Sequence, residues 1–217
     1  MTATAPAVAG GNYYAEGVYC QTDVRRGVTT TRTGTRLLCL TTDFLKGFRR
    51  AIQDECGPAA DTVFKSVGRK WGGFLAKRFE ADMTAHTGRP LADFTMAEFQ
   101  ANLADLFAHH GWGTVRVDLS RHDRGVIQVT AEHPVFAGLG GESDTPVESL
   151  MAGTFAGLFS AVFDRDLDCV QTACAAKGDP AARFVVGLTP RLAAAEGWVA
   201  AGKSHDDVLA ELDEIRL

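Results

Sequence analysis

Large aromatic side chains recur at helical spacing along three segments of the chain, and side chains of this type can enclose a small apolar molecule. Ligand pockets are lined mostly by apolar and aromatic groups, with a few polar ones. Packing in an ordinary hydrophobic core is the alternative for each aromatic, and the sequence leaves both interpretations open. The candidate pocket residues are Phe64, Trp71, Phe74, Phe99, Phe107, Trp112, Phe155 and Phe159.

Three histidines could supply polar groups beside such a pocket. His86, His109 and His110 all fall near the ends of predicted helices. A histidine in that position also interacts favourably with the negative end of the helix dipole. A purely structural role is therefore the alternative for all three.

Motifs of covalent chemistry are not found in the sequence. It has no nucleophile elbow, no zinc-protease motif and no phosphate-binding glycine loop followed by a lysine. The five cysteines are an odd number, which favours reduced thiols over a disulfide framework. Binding is favoured over catalysis, although the sequence leaves the question of an enzyme open.

Composition and charge are those of an ordinary globular protein. Of the 217 residues, 46% are hydrophobic, and the formal net charge is -5. An acidic chain without long basic clusters is not expected to bind nucleic acid. No apolar run approaches the ~18 residues that span a bilayer, and the first residues lack the features of a secretory signal. We therefore expect a cytoplasmic protein that does not contact a membrane.

Hydrophobic periodicity predicts a strand, three helices, a hairpin, a fourth helix and a second hairpin. The first strand is predicted over 35–40, and the hairpins pair 114–120 with 125–132 and 167–175 with 183–188. Because hairpins join the later strands, we predict an α+β fold with a largely antiparallel sheet of about four or five strands, covered by helices on one face. The helices are predicted from 41 to 57, 58 to 88, 95 to 111 and from 146 onward.

Glycines inside two of these helices need an explanation. Gly68 and Gly72, with Gly73, fall within the long second helix, and Gly153 and Gly157 are four residues apart in the fourth. Each costs a helix ~1 kcal/mol relative to alanine. The glycines of the second helix therefore predict the close approach of a neighbouring element or a ligand.

The domain boundaries follow from the same patterns. We assign residues 1–12 to a disordered tail, 13–190 to one ligand-binding domain and 191–217 to a helical C-terminal tail.

The segment 145–186 resembles the signature of the 4-vinyl reductase domain family. The resemblance rests on the spacing of Gly153 and Gly157, on Gly178-Asp179-Pro180, and on Arg183-Phe184. It implies a fold like that of nitric-oxide-signalling and Golgi-transport domains, with a pocket for a small hydrocarbon between the helices and the sheet.

The resemblance also implies four zinc-ligand positions, which here hold Glu148, Gln171, Cys174 and Ala182. Only Cys174 keeps the usual ligand, whereas a closed zinc site needs four. We therefore expect no zinc. Glu148 and Gln171 are instead predicted to hydrogen-bond to each other and so link helix to strand. The alternative is an N-terminal glutamate stabilised by the helix dipole and a glutamine on the strand surface.

Haem is not expected either. The haem-based sensors of similar fold have a Y-x-S-x-R motif, and none of Tyr13, Tyr14 and Tyr19 begins one. We expect no cofactor.

The functional prediction is a non-catalytic sensor or adaptor domain. It would bind a small hydrophobic or aromatic molecule, form a homodimer and signal through a separate protein partner. One alternative is an enzyme or accessory protein of tetrapyrrole vinyl reduction. A second is a structural or interaction protein whose pocket is filled by its own side chains.

Overall fold

The computed structural model describes residues 12–14, 19–139 and 143–215. It begins with three short antiparallel strands, β1 (Cys20–Asp23), β2 (Val28–Thr31) and β3 (Arg36–Leu37). The buried strand predicted over 35–40 is wrong, because its strand portion is two residues long and Leu38 and Leu40 are exposed. The predicted tail 1–12 lies outside the described residues, apart from Asn12.

Four longer helices carry most of the remaining chain: α1 (Thr42–Cys56), α2 (Ala60–Thr87), α3 (Met96–His109) and α4 (Ser149–Phe163). Helix α2 ends at Gly88, whose φ of 70° lies in the left-handed region that glycine adopts without strain. Helix α3 begins with a capping box between Thr95 and Glu98. None of the helices in the described ranges has the length and hydropathy needed to span a bilayer.

The main sheet has four antiparallel strands, β4 (Thr114–Asp118), β5 (Val126–Glu132), β6 (Leu167–Ala173) and β7 (Ala182–Leu188). Their order is β4-β5-β7-β6. Both predicted hairpins are present, and β5 pairs with β7 at the centre, where Ile127 lies opposite Val186. The predicted α+β class and antiparallel sheet are therefore confirmed.

Alternating residues of the sheet face two separate hydrophobic clusters. Ile127 and Phe184 belong to the larger one, which packs against α2, α3 and α4, whereas Val126 and Val185 belong to the smaller one. The smaller cluster is completed by α5 (Thr189–Leu192), α6 (Ala195–Ala200) and α7 (His205–Glu214). The C-terminal helices thus add a layer on the sheet face opposite the three long helices.

Helices α2 and α4 pack directly backbone to backbone. A Cβ atom on Gly68 would overlap the carbonyl oxygen of Leu150, and one on Gly153 would overlap that of Lys65. Gly72 and Gly157 are equally crowded, which confirms the predicted close approach of a neighbouring element. Gly73 is different, because a Cβ there would meet no atom within 4 Å.

Candidate ligand site

The predicted pocket aromatics lie in several separate places. Phe155 packs against Phe107 and Phe184, with ring centroids 5.4 and 5.1 Å away, in the core between helices and sheet. Phe159 is buried in the same core, and Phe99 packs edge-on against Phe79 at 6.0 Å. These rings fill the interior as a hydrophobic core does.

A second group of aromatics lies between α2 and the start of β4. Trp71 and Trp112 are half-buried, with ring centroids 4.8 Å apart. Phe136, which the sequence analysis did not select, lies 6.3 Å from both Trp112 and Phe64 and joins them. Phe74 is 70% exposed on α2 and stands apart from both groups. Contact of any of the eight predicted residues with a ligand stays a prediction.

A cleft of about 770 Å³ opens at one end of the main sheet, and we call it the apolar cleft. Its volume falls within the ~300–1,000 Å³ of typical ligand pockets. None of the eight predicted aromatics lines it. Its apolar walls come from the start of α3, the end of α4 and the adjoining strand ends: Met96, Leu119, Ile127, Phe163, Leu167, Val186 and Leu188.

Two side chains at the mouth of the apolar cleft are unusually exposed for their size. Met96 is 46% exposed at the first position of α3, and Phe163 is 39% exposed at the last position of α4. The ring of Phe163 is held parallel to that of Phe159, 6.0 Å away. An apolar ligand between Met96 and Phe163 would remove both from water, which is favourable by ~25 cal/mol for each Å² of apolar surface.

Polar groups occur on one side of the apolar cleft only. Ser120, His122 and Asp123 belong to the turn between β4 and β5, and Arg165 follows α4. The ring of His122 is fixed by a 2.7 Å hydrogen bond between Nδ1 and the carbonyl oxygen of Leu119. The site therefore combines apolar walls with polar groups that could orient a hydroxyl or carboxyl group of a ligand.

The zinc-ligand positions implied by the resemblance form a hydrogen-bonded junction instead. The backbone N–H of Glu148 donates to Oε1 of Gln171 at 2.9 Å, and Gln171 Nε2 donates to the carbonyl oxygen of Ala173 at 3.0 Å. Helix and strand are linked here, but through the Glu148 backbone rather than its side chain. The predicted bond between the two side chains is therefore wrong in its partner atom.

The carboxylate of Glu148 is turned toward the loop that precedes α4. Its Oε1 accepts the backbone N–H of Ala137 at 2.5 Å, and within the described residues its Oε2 has no hydrogen-bond partner. Burial raises the pKa of Glu148 to about 7, although the bond from Ala137 lowers it. The acid is thus only partly ionised near neutral pH.

These donors do not fit a closed zinc site. Ala182 has no donor atom, and the amide oxygen of Gln171 already accepts the N–H of Glu148. In the described ranges, no three His, Cys, Asp or Glu side chains are close enough to share a metal ion. The expectation that the protein works without zinc stays a prediction.

A second cleft, of about 600 Å³, lies between α2, α4, β6 and α6 and is lined by charged groups. Lys65 Nζ lies 3.2 Å from Asp168 and 2.5 Å from Glu196. Burial lowers the pKa of Lys65, but these carboxylates outweigh it and raise the pKa overall. Because its lysine is already paired with carboxylates, this cleft is a poor site for an anionic ligand.

Comparison with known proteins agrees with the fold. The chain is similar to the phenol-responsive sensory domain of the transcription activator PoxR, solved with phenol: the TM-score is 0.66 at 18% identity over 85% of this chain and 92% of that one. A vinyl-4-reductase family protein from Methanocaldococcus jannaschii gives 0.50 at 14% identity, over 69% of this chain and 82% of that one.

A trafficking protein particle complex subunit 3 from Naegleria fowleri, covalently bound to palmitic acid, gives a TM-score of 0.51 at 14% identity, over 68% of this chain and 95% of that one. Identities this low show a shared fold alone. A search of curated protein sequences finds no match. The family model of the 4-vinyl reductase domain matches residues 127–188, which run from β5 through α4 to the end of β7. The chain therefore contains a 4-vinyl reductase domain, the domain that its sequence resembles.

Proposed function

We propose that this chain is a non-catalytic sensor domain that binds a small apolar or aromatic molecule in the apolar cleft. The observation that carries the proposal is the apolar cleft itself, with a ligand-sized volume, apolar walls and polar groups on one side. The similarity to a phenol-responsive domain supports the proposal through the shared fold.

The lining favours a ligand with an apolar body and one polar end. Its ring or chain would lie between Phe163 and Met96 and against Ile127, where it displaces water from apolar surface. Its polar end would meet the β4–β5 turn, where His122 can exchange a hydrogen bond with a hydroxyl group. Monocyclic phenols and aromatic acids meet both requirements.

Binding to the full chain can be measured by titration calorimetry with phenol, and with toluene as the analogue that lacks a hydroxyl group. The double variant Met96→Ala/Phe163→Ala should weaken phenol binding at least about tenfold, since each truncation removes apolar contact. Its matched control is Phe74→Ala, which removes an exposed phenylalanine outside the apolar cleft. Equal affinities of the double variant and the control would contradict the proposed site.

A signal could pass through the thickness of the sheet. Ile127 and Val186 face the apolar cleft, while their neighbours Val126 and Val185 pack against the C-terminal helices. A ligand that shifts β5 and β7 would therefore disturb α6 and α7, because packed layers move together. We propose that a protein partner recognises these helices.

Helix α1 is the surface that we propose for a homodimer. Every residue of α1 is at least partly exposed, and Phe44 and Phe48, 54% and 41% exposed, stack in parallel 6.4 Å apart. Exposed aromatic pairs are typical of interaction surfaces. Sedimentation equilibrium should find a dimer that Phe44→Glu/Phe48→Glu dissociates and Val24→Glu, a control on the exposed β1–β2 turn, does not. A dimer unaffected by the double variant would contradict this interface.

A further inference from the structure

Tyrosines at the start of the described chain fill a buried niche at the ends of α2 and α3. Tyr13, Tyr14 and Tyr19 are all buried, and we call their surroundings the tyrosine niche. The ring of Tyr14 lies 4.9 Å from each of the other two and is nearly parallel to His109 at 5.8 Å, with an interplanar angle of 18°. His109 is the last residue of α3.

The three hydroxyl groups of the tyrosine niche are not equally satisfied. Tyr13 OH lies 3.2 Å from Oγ1 of Thr33, which donates to the buried carboxylate of Asp82 at 2.5 Å. Tyr19 OH lies 3.2 Å from Nε2 of His110. Tyr14 OH is buried and, within the described part of the chain, has no hydrogen-bond partner. A buried hydroxyl without a partner is costly.

Side chains rather than backbone anchor this segment. Among the described residues, 12–14 form no backbone–backbone hydrogen bond with another segment. The backbone N–H of Tyr14 donates locally to Oδ1 of Asn12 at 2.9 Å. Release of Tyr14 therefore breaks ring contacts but no strand or helix ladder.

We propose that Tyr14 is a tethered occupant of a second binding site, selective for phenols, and that a free phenol displaces it. A tyrosine side chain is a para-substituted phenol, so the tyrosine niche already has the shape and polarity that accept one. The backbone fixes the depth of the Tyr14 ring and leaves its hydroxyl unpaired. A free phenol can turn within the same space and donate to Asp82 or His109, which gives it an advantage over the tethered ring.

Hydrogen exchange of the full chain, measured with and without phenol, tests the displacement. Phenol should speed exchange of the backbone amides of Tyr13 and Tyr14 by about fivefold or more, because the segment leaves its niche. The variant Tyr14→Gly should bind phenol about tenfold more tightly, since no occupant has to leave. Tyr14→Phe keeps the ring in place and should bind phenol within about twofold of the unaltered chain.

The outcomes separate this site from the apolar cleft. Phenol binding that Met96→Ala/Phe163→Ala abolishes, with unchanged exchange at Tyr13 and Tyr14, would support the proposed function and overturn the second site. Phenol binding by Tyr14→Gly alone would also overturn displacement. Faster exchange that persists in the cleft variant supports the second site even if the proposed function fails. Where Tyr14→Gly does not fold, the exchange data on the unaltered chain decide.

Discussion

A Cβ atom on Gly72 of α2 would overlap the carbonyl oxygen of Thr154 in α4 and lie 2.8 Å from the amide nitrogen of Leu158. The glycine hydrogen that stands in place of Cβ points at the Thr154 oxygen, which is the arrangement of a weak Cα–H···O bond. The reciprocal crowding at Gly153 and Gly157 repeats this contact from the other helix. The two helices that carry the core aromatics are thus fixed by the absence of side chains.

Gly72→Ala should destabilise the protein by about 3 kcal/mol, the upper part of the range for overpacked cores, because the new methyl group meets rigid backbone. The matched control is Gly73→Ala in the same helix, where the methyl group meets open space. That change should stabilise the protein by about 0.5–1 kcal/mol through helix propensity. Urea denaturation measures both, and equal effects of the two variants would contradict the packing described.

Gln171→Leu should destabilise the protein by about 1–3 kcal/mol, because it leaves the N–H of Glu148 buried without an acceptor. Gln21→Leu, on the exposed strand β1, is the control and should change stability little. Denaturant titration of both variants checks the prediction. A Gln171→Leu variant as stable as its control would mean that the junction between α4 and β6 does not depend on this bond.

Glu148→Gln should remove a pH dependence of stability. The folded-state pKa of Glu148 is raised from its ordinary 4.5 to about 7, so the stability it confers is present at low pH and is lost as pH rises through about 7. Each pKa unit is worth ~1.4 kcal/mol, so Glu148→Gln should gain up to about 3 kcal/mol over the unaltered chain between about pH 4.5 and 8. The exposed Glu55→Gln is the control, and a gain that does not grow with pH would contradict the burial of an unpaired acid.

His205 should make the attachment of α7 weaker in acid. Its Nδ1 lies 2.7 Å from Thr172 Oγ1 and its Nε2 lies 3.2 Å from Gln128 Oε1, so the ring sits between α7 and the sheet. Burial and then Arg183 lower its pKa, and the stability it confers is therefore present above its ordinary pKa of 6.5 and lost as pH falls below it.

Hydrogen exchange across 205–214 measures this effect, corrected for the intrinsic dependence of exchange on pH. Protection should fall between about pH 7.5 and 5.5, and it should fall less in His205→Gln. The exposed His122→Gln, on the β4–β5 turn, should retain the full loss. An identical loss in both variants would show that another group controls α7.

The long periodic elements could be predicted from the sequence because one pattern dominated each of them. The apolar residues of α2 and α3 recur at helical spacing, and the strands of both hairpins show the expected burial of a sheet. The strand at 35–40 failed because an apolar run does not say whether anything covers it, and here Leu38 and Leu40 have no cover within the described chain.

The candidate site was harder to predict than the fold. The apolar cleft is built from residues at element ends, with Met96 first in α3 and Phe163 last in α4. Element boundaries are the least certain part of a sequence prediction, and the contact of two such ends depends on the whole topology. The aromatics inside the helices gave the stronger sequence signal, but Phe107 and Phe155 pack against each other in the core.

The most direct test of ligand binding in the apolar cleft is a methyl-labelled NMR titration of the full chain with phenol. The account predicts the largest shifts at Leu119, Ile127 and Leu188, which line the apolar cleft, and small shifts at the methyl groups of Val208 and Leu212 on the far face of the sheet. These shifts should saturate with one affinity and disappear in Met96→Ala/Phe163→Ala. Saturable phenol binding that leaves the methyl groups of Leu119, Ile127 and Leu188 unmoved would contradict the account.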